Sequence, residues 1–534
     1  MEPYRHVKHF IKRRLSGREL NTLLRRTGIH FESPPVQRPS KPDRVGSVKA
    51  ACILDDFTYD QFRQVMELVP IDPERWFEPF QAGVDMLLVE SFWRGSGGSW
   101  KGIAYDYNPK ERELLRRIVR WCRQAGVPTV FWNKEDPVHF DEFVDLAMEF
   151  DHIFTTDAGC IAKYRALGKE AEVLMFSAMP SLHNPIEVYG SREDKVCFAG
   201  SWMPMYPARM ADFERIAQAI SDYGLDIYDR NLERGDPRYA FPEKYRGMIR
   251  GTLIGEEILR AYKGYRFGLN LNSVKDSETM LARRTFELMA CNTPVLSNDS
   301  LALRKIFGDL AICSDDAAHI RRKLEELRGD EDAYRRFRQA ALRAVMLDHT
   351  IDDRVGQICS KVFSLPAPIK FRKAICLLSG GPRERRVLAE FRAQSHRHKE
   401  TRLMPGGQRE HEALWKQAVS ENALLVNLSD SDHYGPNFLR DMVMAFFYSE
   451  AAMVTKVSHY RRGAGLVDPG RQFRWVQEVV PGSLMIDPAK IGWEEAMALW
   501  DGRSRSTSKR CLSVDEFNYL EGAGVNQDAS HYDC

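Results

Sequence analysis

The hydrophobic pattern of this chain changes rhythm several times. From residue 48, short apolar runs alternate with stretches in which apolar side chains recur every three or four positions. The runs at 51–54, 85–90, 127–132, 152–156 and 172–176 predict strands. Between them, 110–125 predicts a helix with Leu114, Leu115, Ile118, Trp121 and Cys122 on one face. After a polar break at 190–194 the alternation restarts. Strands are predicted over 195–199, 225–228 and 266–272, helices over 207–223 and 254–262, and residues 310–313 with the helices up to 365 complete the set. Such alternation predicts parallel sheets with helices on both faces, whose ligands bind outside the C-terminal strand ends.

Residues 282–298, ARRTFELMACNTPVLSN, organise the second half of this pattern. Phe286, Leu288 and Met289 predict a helix, Asn292 can take the left-handed conformation that ends it, and Thr293-Pro294 leads into a buried strand at Val295-Leu296. Pro366-Ala367-Pro368 then separates a third region, with strands predicted at 373–378, 422–428 and 452–456 and a helix over 437–449. Ahead of all this, residues 1–27 carry eight Lys/Arg and two Glu, with Val7, Phe10, Ile11 and Leu15 on one helical face. A basic amphipathic helix can lie on an anionic membrane surface or pack on the body of the protein, and packing is its commoner use. The expected division is therefore a leader and linker at 1–46, α/β domains at 47–190 and 191–365, and a smaller α/β domain at 366–534.

Composition changes this picture little. A chain of 534 residues fits about three domains. Its 77 basic and 75 acidic side chains give no sign of a polyanionic partner, so no nucleic acid is expected. The ten cysteines show no CxxC pair, which reads as reduced core thiols of a cytoplasmic protein, not a zinc site. No apolar run approaches the ~18 residues that cross a bilayer, and the N-terminus lacks a secretory signal. The expectation is a soluble intracellular protein, with membrane contact only through residues 1–27.

Candidate chemistry sits after the strands. Asp55-Asp56, Glu90, Lys134-Glu135-Asp136 with His139, and Asp157 follow first-domain strands. Carboxylates, a lysine and a histidine at one sheet edge suit acceptor binding and proton transfer, although such residues also cap helices and turns, the better reading for Asp157. Glu90 ranks first as a general base and Asp56 second, with His139 a further candidate. Lys134 is a charge partner for a diphosphate or acceptor. The glycine-rich loop 94–102 lacks the GK[ST] ending of a phosphate loop. It reads as a mobile flap with Trp93 and Trp100 available to stack on a sugar. In the second domain, Gly200-Ser201, Arg209, Tyr228-Asp229 and Asn272 follow strands or start helices. Arg283 and Arg284 stand about one turn before Glu287, a guanidinium pair suited to a diphosphate beside a carboxylate suited to a diol.

The ordered set DDFTY, ESFWRG, FWNKEDPVHF, DHIFTTD, CFAGSW, IYDR, LNLNSV and ARRTFELMACNTPVLSN resembles the CgeB-like, spore-maturation-type glycosyltransferases across about residues 47–365. The resemblance implies a GT-B fold, two facing Rossmann-like domains, with a nucleotide-sugar donor on the second domain and a bacterial surface glycan or protein acceptor on the first. It implies Glu287 as the ribose ligand, Arg283 and Arg284 at the diphosphate, and no required metal. Residues 429–437, SDSDHYGPN, resemble the D-x-D-x-YYGPNYL signature of GT-A glycosyltransferases, in which two aspartates, here Asp430 and Asp432, hold Mg or Mn. The short first half, and DGRSRSTSKRC where an acidic motif is expected, imply a degenerate GT-A-like domain used in acceptor binding or assembly. A second active transferase is the lesser reading. The competing function for the whole chain is a non-catalytic glycan-binding or assembly scaffold, and a homo-oligomer is compatible with either.

Overall fold

A computed structural model describes residues 42–102, 109–378, 384–404, 407–523 and 530–534. The basic leader, with its expected amphipathic helices and membrane contact, lies outside the described residues. The chain divides into two compact units. The first gathers residues up to Met175 with Ser277–Met280 and Arg354–Ala367; the second gathers Phe176–Asp276, Leu281–Asp353 and Pro368–Cys534.

The first unit is built on β1 (Lys49–Ile53), β2 (Glu67–Pro70), β3 (Met86–Glu90), β4 (Thr129–Asn133), β5 (His152–Thr155) and β6 (Ala171–Val173). They form a parallel sheet in the order β2-β1-β3-β4-β5-β6. β3 and β4 are buried along their whole length, as a strand covered on both faces must be. The helix Pro109–Ala125 sets Leu114, Leu115, Ile118, Val119 and Cys122 into this core. Asp157 occupies the N-cap position of the helix Ala158–Ala166 but makes no capping bond. Its Oδ1 instead accepts from Ser277 Oγ at 2.6 Å, which holds the loop Ser277–Met280 to this unit. The helix Ile351–Phe363 also contributes from residue 354 onward. Gln357 Nε2 and Arg354 Nε donate to the carbonyls of Val173 and Met175 at 2.6 and 2.9 Å, at the end of edge strand β6.

The second unit contains β7 (Glu193–Gly200), β8 (Leu225–Asp229), β9 (Ile249–Gly251), β10 (Tyr265–Asn270), β11 (Val295–Ser297) and β12 (Ile312–Cys313). These are all parallel, in the order β12-β11-β10-β7-β8-β9. Counted from β7 this is the 3-2-1-4-5-6 order of the Rossmann fold. The helix Arg284–Ala290 precedes β11, and Asn292 between them has φ 55°, the left-handed geometry expected of it.

The same unit carries a mixed sheet. Its elements follow β13 (Ala374–Leu378), β14 (Lys399–Leu403), β15 (Leu424–Val426), β16 (His433–Tyr434), β17 (Met453–Thr455), β18 (His459–Arg461), β19 (Gly465–Val467), β20 (Arg474–Glu478), β21 (Met485–Ile486), β22 (Ser506–Ser513) and β23 (Tyr519–Glu521). Seven of them order as β14-β13-β15-β21-β17-β22-β20, with β21 antiparallel to both neighbours; β16, β23, β18 and β19 form a small second sheet. A buried ion pair ties this part to the preceding domain. Arg343, on the helix Glu331–Asp348, places Nε and Nη2 at 2.6 and 2.8 Å from the two oxygens of Asp441, on the helix Phe438–Tyr448. Fold class is thus as expected: α/β, with two Rossmann-like parallel sheets and an additional C-terminal α/β domain. Among the described residues, no helix is long and apolar enough to cross a membrane.

Candidate functional site

In an open parallel sheet the crevice lies where the strand order reverses. In the second unit that point falls between β7 and β10, at Gly200-Ser201 and Asn270–Asn272. Three guanidinium groups gather there. Arg209 Nη1 donates to the Ser201 carbonyl at 3.3 Å, Arg230 Nε to Ser201 Oγ at 3.3 Å, and Arg284 lies over the Phe198 ring with its carbon 5.2 Å from the centroid. None of the three has a carboxylate partner among the described residues, and Arg284 Nε is buried without a hydrogen bond. Burial pulls the Arg209 pKa down, and the adjacent charges of Arg284 and Arg230 pull it further, to about 10. Like charges held together in this way can offset an anion. Gly200 serves this arrangement indirectly. A Cβ there would sit 2.4 Å from Phe198 Cζ, so the glycine makes room for the ring under Arg284.

Glu287 stands behind this cluster, 1% exposed. Its Oε2 accepts from Tyr262 Oη at 2.6 Å and its Oε1 lies 2.7 Å from Arg283 Nε, with His183 Nε2 at 4.0 Å. Burial raises the Glu287 pKa, but Arg283, His183 and Tyr262 outweigh it and hold the carboxyl below its usual range. His183 Nδ1 accepts from the Met179 N–H at 3.2 Å, and burial takes its pKa down to about 4, so the ring is neutral.

The other expected donor residues are spoken for. Asn272 Oδ1 accepts from Ala282 N at 3.1 Å and its Nδ2 donates to Ser297 Oγ at 3.1 Å, which positions the approach to the Arg283-Arg284 turn. Tyr228 Oη meets Tyr265 Oη at 3.3 Å, and Asp229 Oδ1 accepts from Asn231 N at 2.8 Å; both are buried. Sequence reasoning missed Arg230, Tyr262 and His183. Arg230 had a signal, standing directly after the strand in IYDR; the other two are indistinguishable from core residues.

In the first unit the order reverses between β1 and β3, where Asp55-Asp56 and Glu90 stand. Glu90, Lys134 and Asp55 form a closed triad. Lys134 Nζ reaches Glu90 Oε1 at 2.8 Å and Asp55 Oδ2 at 2.9 Å, and Asp55 N donates to Glu90 Oε1 at 2.6 Å. Asp55 also accepts from the N–H groups of Trp93, Arg94 and Gly95 at 3.0–3.2 Å. Glu90 has no exposed surface, and burial drives its pKa up against the pull of Lys134. Both donors fall on Glu90 Oε1, which supports Lys134 and the turn at Asp55, while Oε2 is buried without a hydrogen bond. Lys134 in turn is shared between two carboxylates. Asp56 differs: it is exposed, and Oδ1 accepts from Gly97 N at 3.2 Å. His139 is half-buried, edge-on to Trp93 at 5.0 Å, with Nδ1 3.4 Å from Glu142 Oε1. Trp100, expected on a flap, is instead fully buried and donates its indole N–H to Ile71 O at 2.8 Å.

In the C-terminal domain Asp432 is 6% exposed. Oδ1 accepts from Gly522 N at 2.9 Å and Oδ2 from Tyr519 Oη at 3.0 Å, so its lone pairs serve the fold. Asp430 is partly exposed, and no group of three His, Cys, Asp or Glu side chains suited to a metal occurs among the described residues.

Comparison with known proteins places part of the chain. Residues 217–360, which include the Glu287 helix and Arg230, match a family described as Glycosyl transferase-like. No curated protein matches. Solved structures with a similar fold include Anabaena HepE in complex with UDP and glucose, at 10% identity and TM-score 0.41, covering 59% of this chain and 92% of that one. The T4 phage BGT in complex with UDP and Mn2+ follows at 11% identity and TM-score 0.37, covering 60% and 100%. An alpha-glucosyltransferase in complex with UDP and a 13-mer DNA gives 13% identity and TM-score 0.39, covering 59% and 100%. The stretch 217–360 is glycosyltransferase-like.

Proposed function

We propose that the chain transfers a sugar from a nucleotide-sugar donor to a glycan or protein acceptor, as a GT-B enzyme of the CgeB-like kind acting on a bacterial surface polymer. One observation carries the reading: Arg209 and Arg230 donate to Ser201, and Arg284 stands beside them over Phe198, at the switch point of a Rossmann-like sheet with no carboxylate partner among the described residues. A diphosphate supplies the missing charge. In this scheme the acceptor hydroxyl gives its proton to a base and its oxygen bonds to the anomeric carbon. The bond from that carbon to the diphosphate oxygen breaks, and the charge left on the diphosphate is met by guanidinium groups already in place. Fixed cations do here what a metal ion does elsewhere, so the GT-B pair needs none.

Glu287 receives the ribose. Its Oε1 carries Arg283 in the free protein, so the diol takes that oxygen as Arg283, 37% exposed, swings toward the phosphates. Asp56, the exposed carboxylate of the first-unit set, is the base. The third domain is structural or acceptor-binding, since Asp432 is committed to Gly522 and Tyr519.

The test is a thermal-shift panel of UDP, GDP, ADP, UMP, pyrophosphate and the corresponding nucleotide sugars. Selective binding raises stability by about 2.7 kcal/mol at a hundredfold excess over Kd. Slow hydrolysis of the best donor by protein alone separates an enzyme from a scaffold. A flat panel overturns the proposal.

A further inference from the structure

A second concave surface lies on the C-terminal domain. It is a groove of about 610 Å³ over the antiparallel pair β20–β22, where β20 is the edge of the mixed sheet. Val476 and Cys511 form its floor and Arg471, Trp475, Lys509 and Arg510 its sides. Trp475 is 39% exposed, one of the few large apolar side chains left in water. The Arg510 guanidinium lies 4.3 Å from its ring centroid, which fixes the indole by a cation–π contact. Glu478 is the one acid of the groove and is taken by Arg471 at 3.1 Å. Lys509 and Arg510 are exposed and have no carboxylate partner among the described residues.

Two cations without a carboxylate partner among the described residues stand beside a held, half-exposed indole. Sheet edges do carry lysine to discourage strand pairing, but that function needs no tryptophan and gains nothing from exposing one. An indole face attracts the C–H face of a pyranose through its quadrupole, and unpaired guanidinium and ammonium groups attract carboxylates or sulfates on that sugar. We propose that this groove is a saccharide-binding site for an acidic glycan strand, with Trp475 as the stacking platform and Lys509 and Arg510 reading the acid groups. Gln477 and Ser508 in the lining offer hydrogen bonds to hydroxyls. Sharing no lining residue with the cluster at Ser201, it would hold the acceptor chain between transfers. That role rests on the glycosyltransferase reading; the binding itself does not.

The experiment is calorimetry of the full chain with tetragalacturonate, a sulfated tetrasaccharide, neutral maltotetraose and phosphatidylserine vesicles, with UDP titrated in parallel. The expected result is binding of an acidic tetrasaccharide that falls at least ~10-fold in W475A and in the K509E/R510E double variant, weakens with salt, and leaves UDP affinity unchanged. Absence of binding by both acidic tetrasaccharides overturns the inference, as does binding that neither variant weakens. Equal affinity for maltotetraose removes the acidic specificity, and capture by vesicles alone makes the patch a membrane contact. UDP binding without saccharide binding refutes the groove alone, whereas saccharide binding without UDP refutes the donor site alone.

Discussion

Arg230→Gln separates an anion site from a structural arginine cluster, because it moves two measurements in opposite directions. In the free protein the cluster is a strained electrostatic arrangement. The neighbouring Arg209 has its pKa lowered to about 10, by burial first and then by Arg284 and Arg230. At about 1.4 kcal/mol per pKa unit, the charged form of Arg209 carries on the order of 3 kcal/mol of unfavourable free energy. Burial is the largest cause, followed by Arg284 and Arg230, so removing one of the two neighbouring charges relieves a fraction of it, about 0.5–1 kcal/mol. The loss to set against it is small, a single 3.3 Å bond from Nε to Ser201 Oγ. The free variant is therefore expected to be as stable as the parent or more so, most clearly at low salt. With a diphosphate present the same charge becomes favourable, and a charge-assisted hydrogen bond is worth about 1.5–3 kcal/mol, so UDP affinity falls roughly 10–100-fold. Differential scanning fluorimetry with and without UDP, with calorimetry for affinity, reads both quantities. A free variant clearly less stable than the parent, with UDP affinity unchanged, would refute the reasoning and return Arg230 to a structural role.

Other expectations follow from the geometry. Arg343→Met or Asp441→Asn alone leaves a buried group unpaired and costs about 3–5 kcal/mol in denaturant unfolding, while the Arg343→Met/Asp441→Leu double variant recovers most of it. His433 is held between Glu390 at 3.2 Å and Asp533 at 3.3 Å; burial lowers its pKa, but these carboxylates outweigh burial and raise it from 6.5 to about 9. Its contribution, up to roughly 3 kcal/mol, is thus fully present below pH 6.5 and lost as pH rises through 9, which hydrogen exchange at residues 530–534 would register. Asp56→Asn should slow transfer at least ~100-fold with UDP affinity kept. Glu90→Gln should instead lower the melting temperature by freeing Lys134; normal stability with lost turnover would restore Glu90 as the base.

The central strands were legible because they are buried on both faces and read as unbroken apolar runs, as MLLVE and TVFWN do. The strands that escaped were β2 and β9, ELVP and IRG. Both are sheet edges, where one side meets solvent and proline or glycine is tolerated. In the mixed sheet only β13, β15 and β17 were legible, because they are buried apolar runs, whereas β14, β19, β20 and most of β22 expose polar side chains. At the site, Arg209 and Glu287 were singled out on helices, and Ser201 was singled out by position after a strand. Position could not tell Asp56 from Glu90: both follow strands, and only the Lys134 side chain arriving from β4 distinguishes the buried carboxylate from the exposed one. Trp100 was misread for a similar reason, since its Ile71 partner is remote in sequence.

The return of residues 354–367 to the first unit bears on how the protein is made. Edge strand β6 ends in carbonyls that wait for Gln357 and Arg354, and β5 waits for the loop Ser277–Met280. A ribosome adding ~5–20 residues per second needs roughly 10–40 s to go from residue 176 to 367. During that interval the first sheet exists without its last partners and presents a bare edge. The N-terminal third of this chain is synthesised first but completed second, so slow translation of the middle of the chain, or its truncation before residue 367, should express itself as aggregation of residues 47–175.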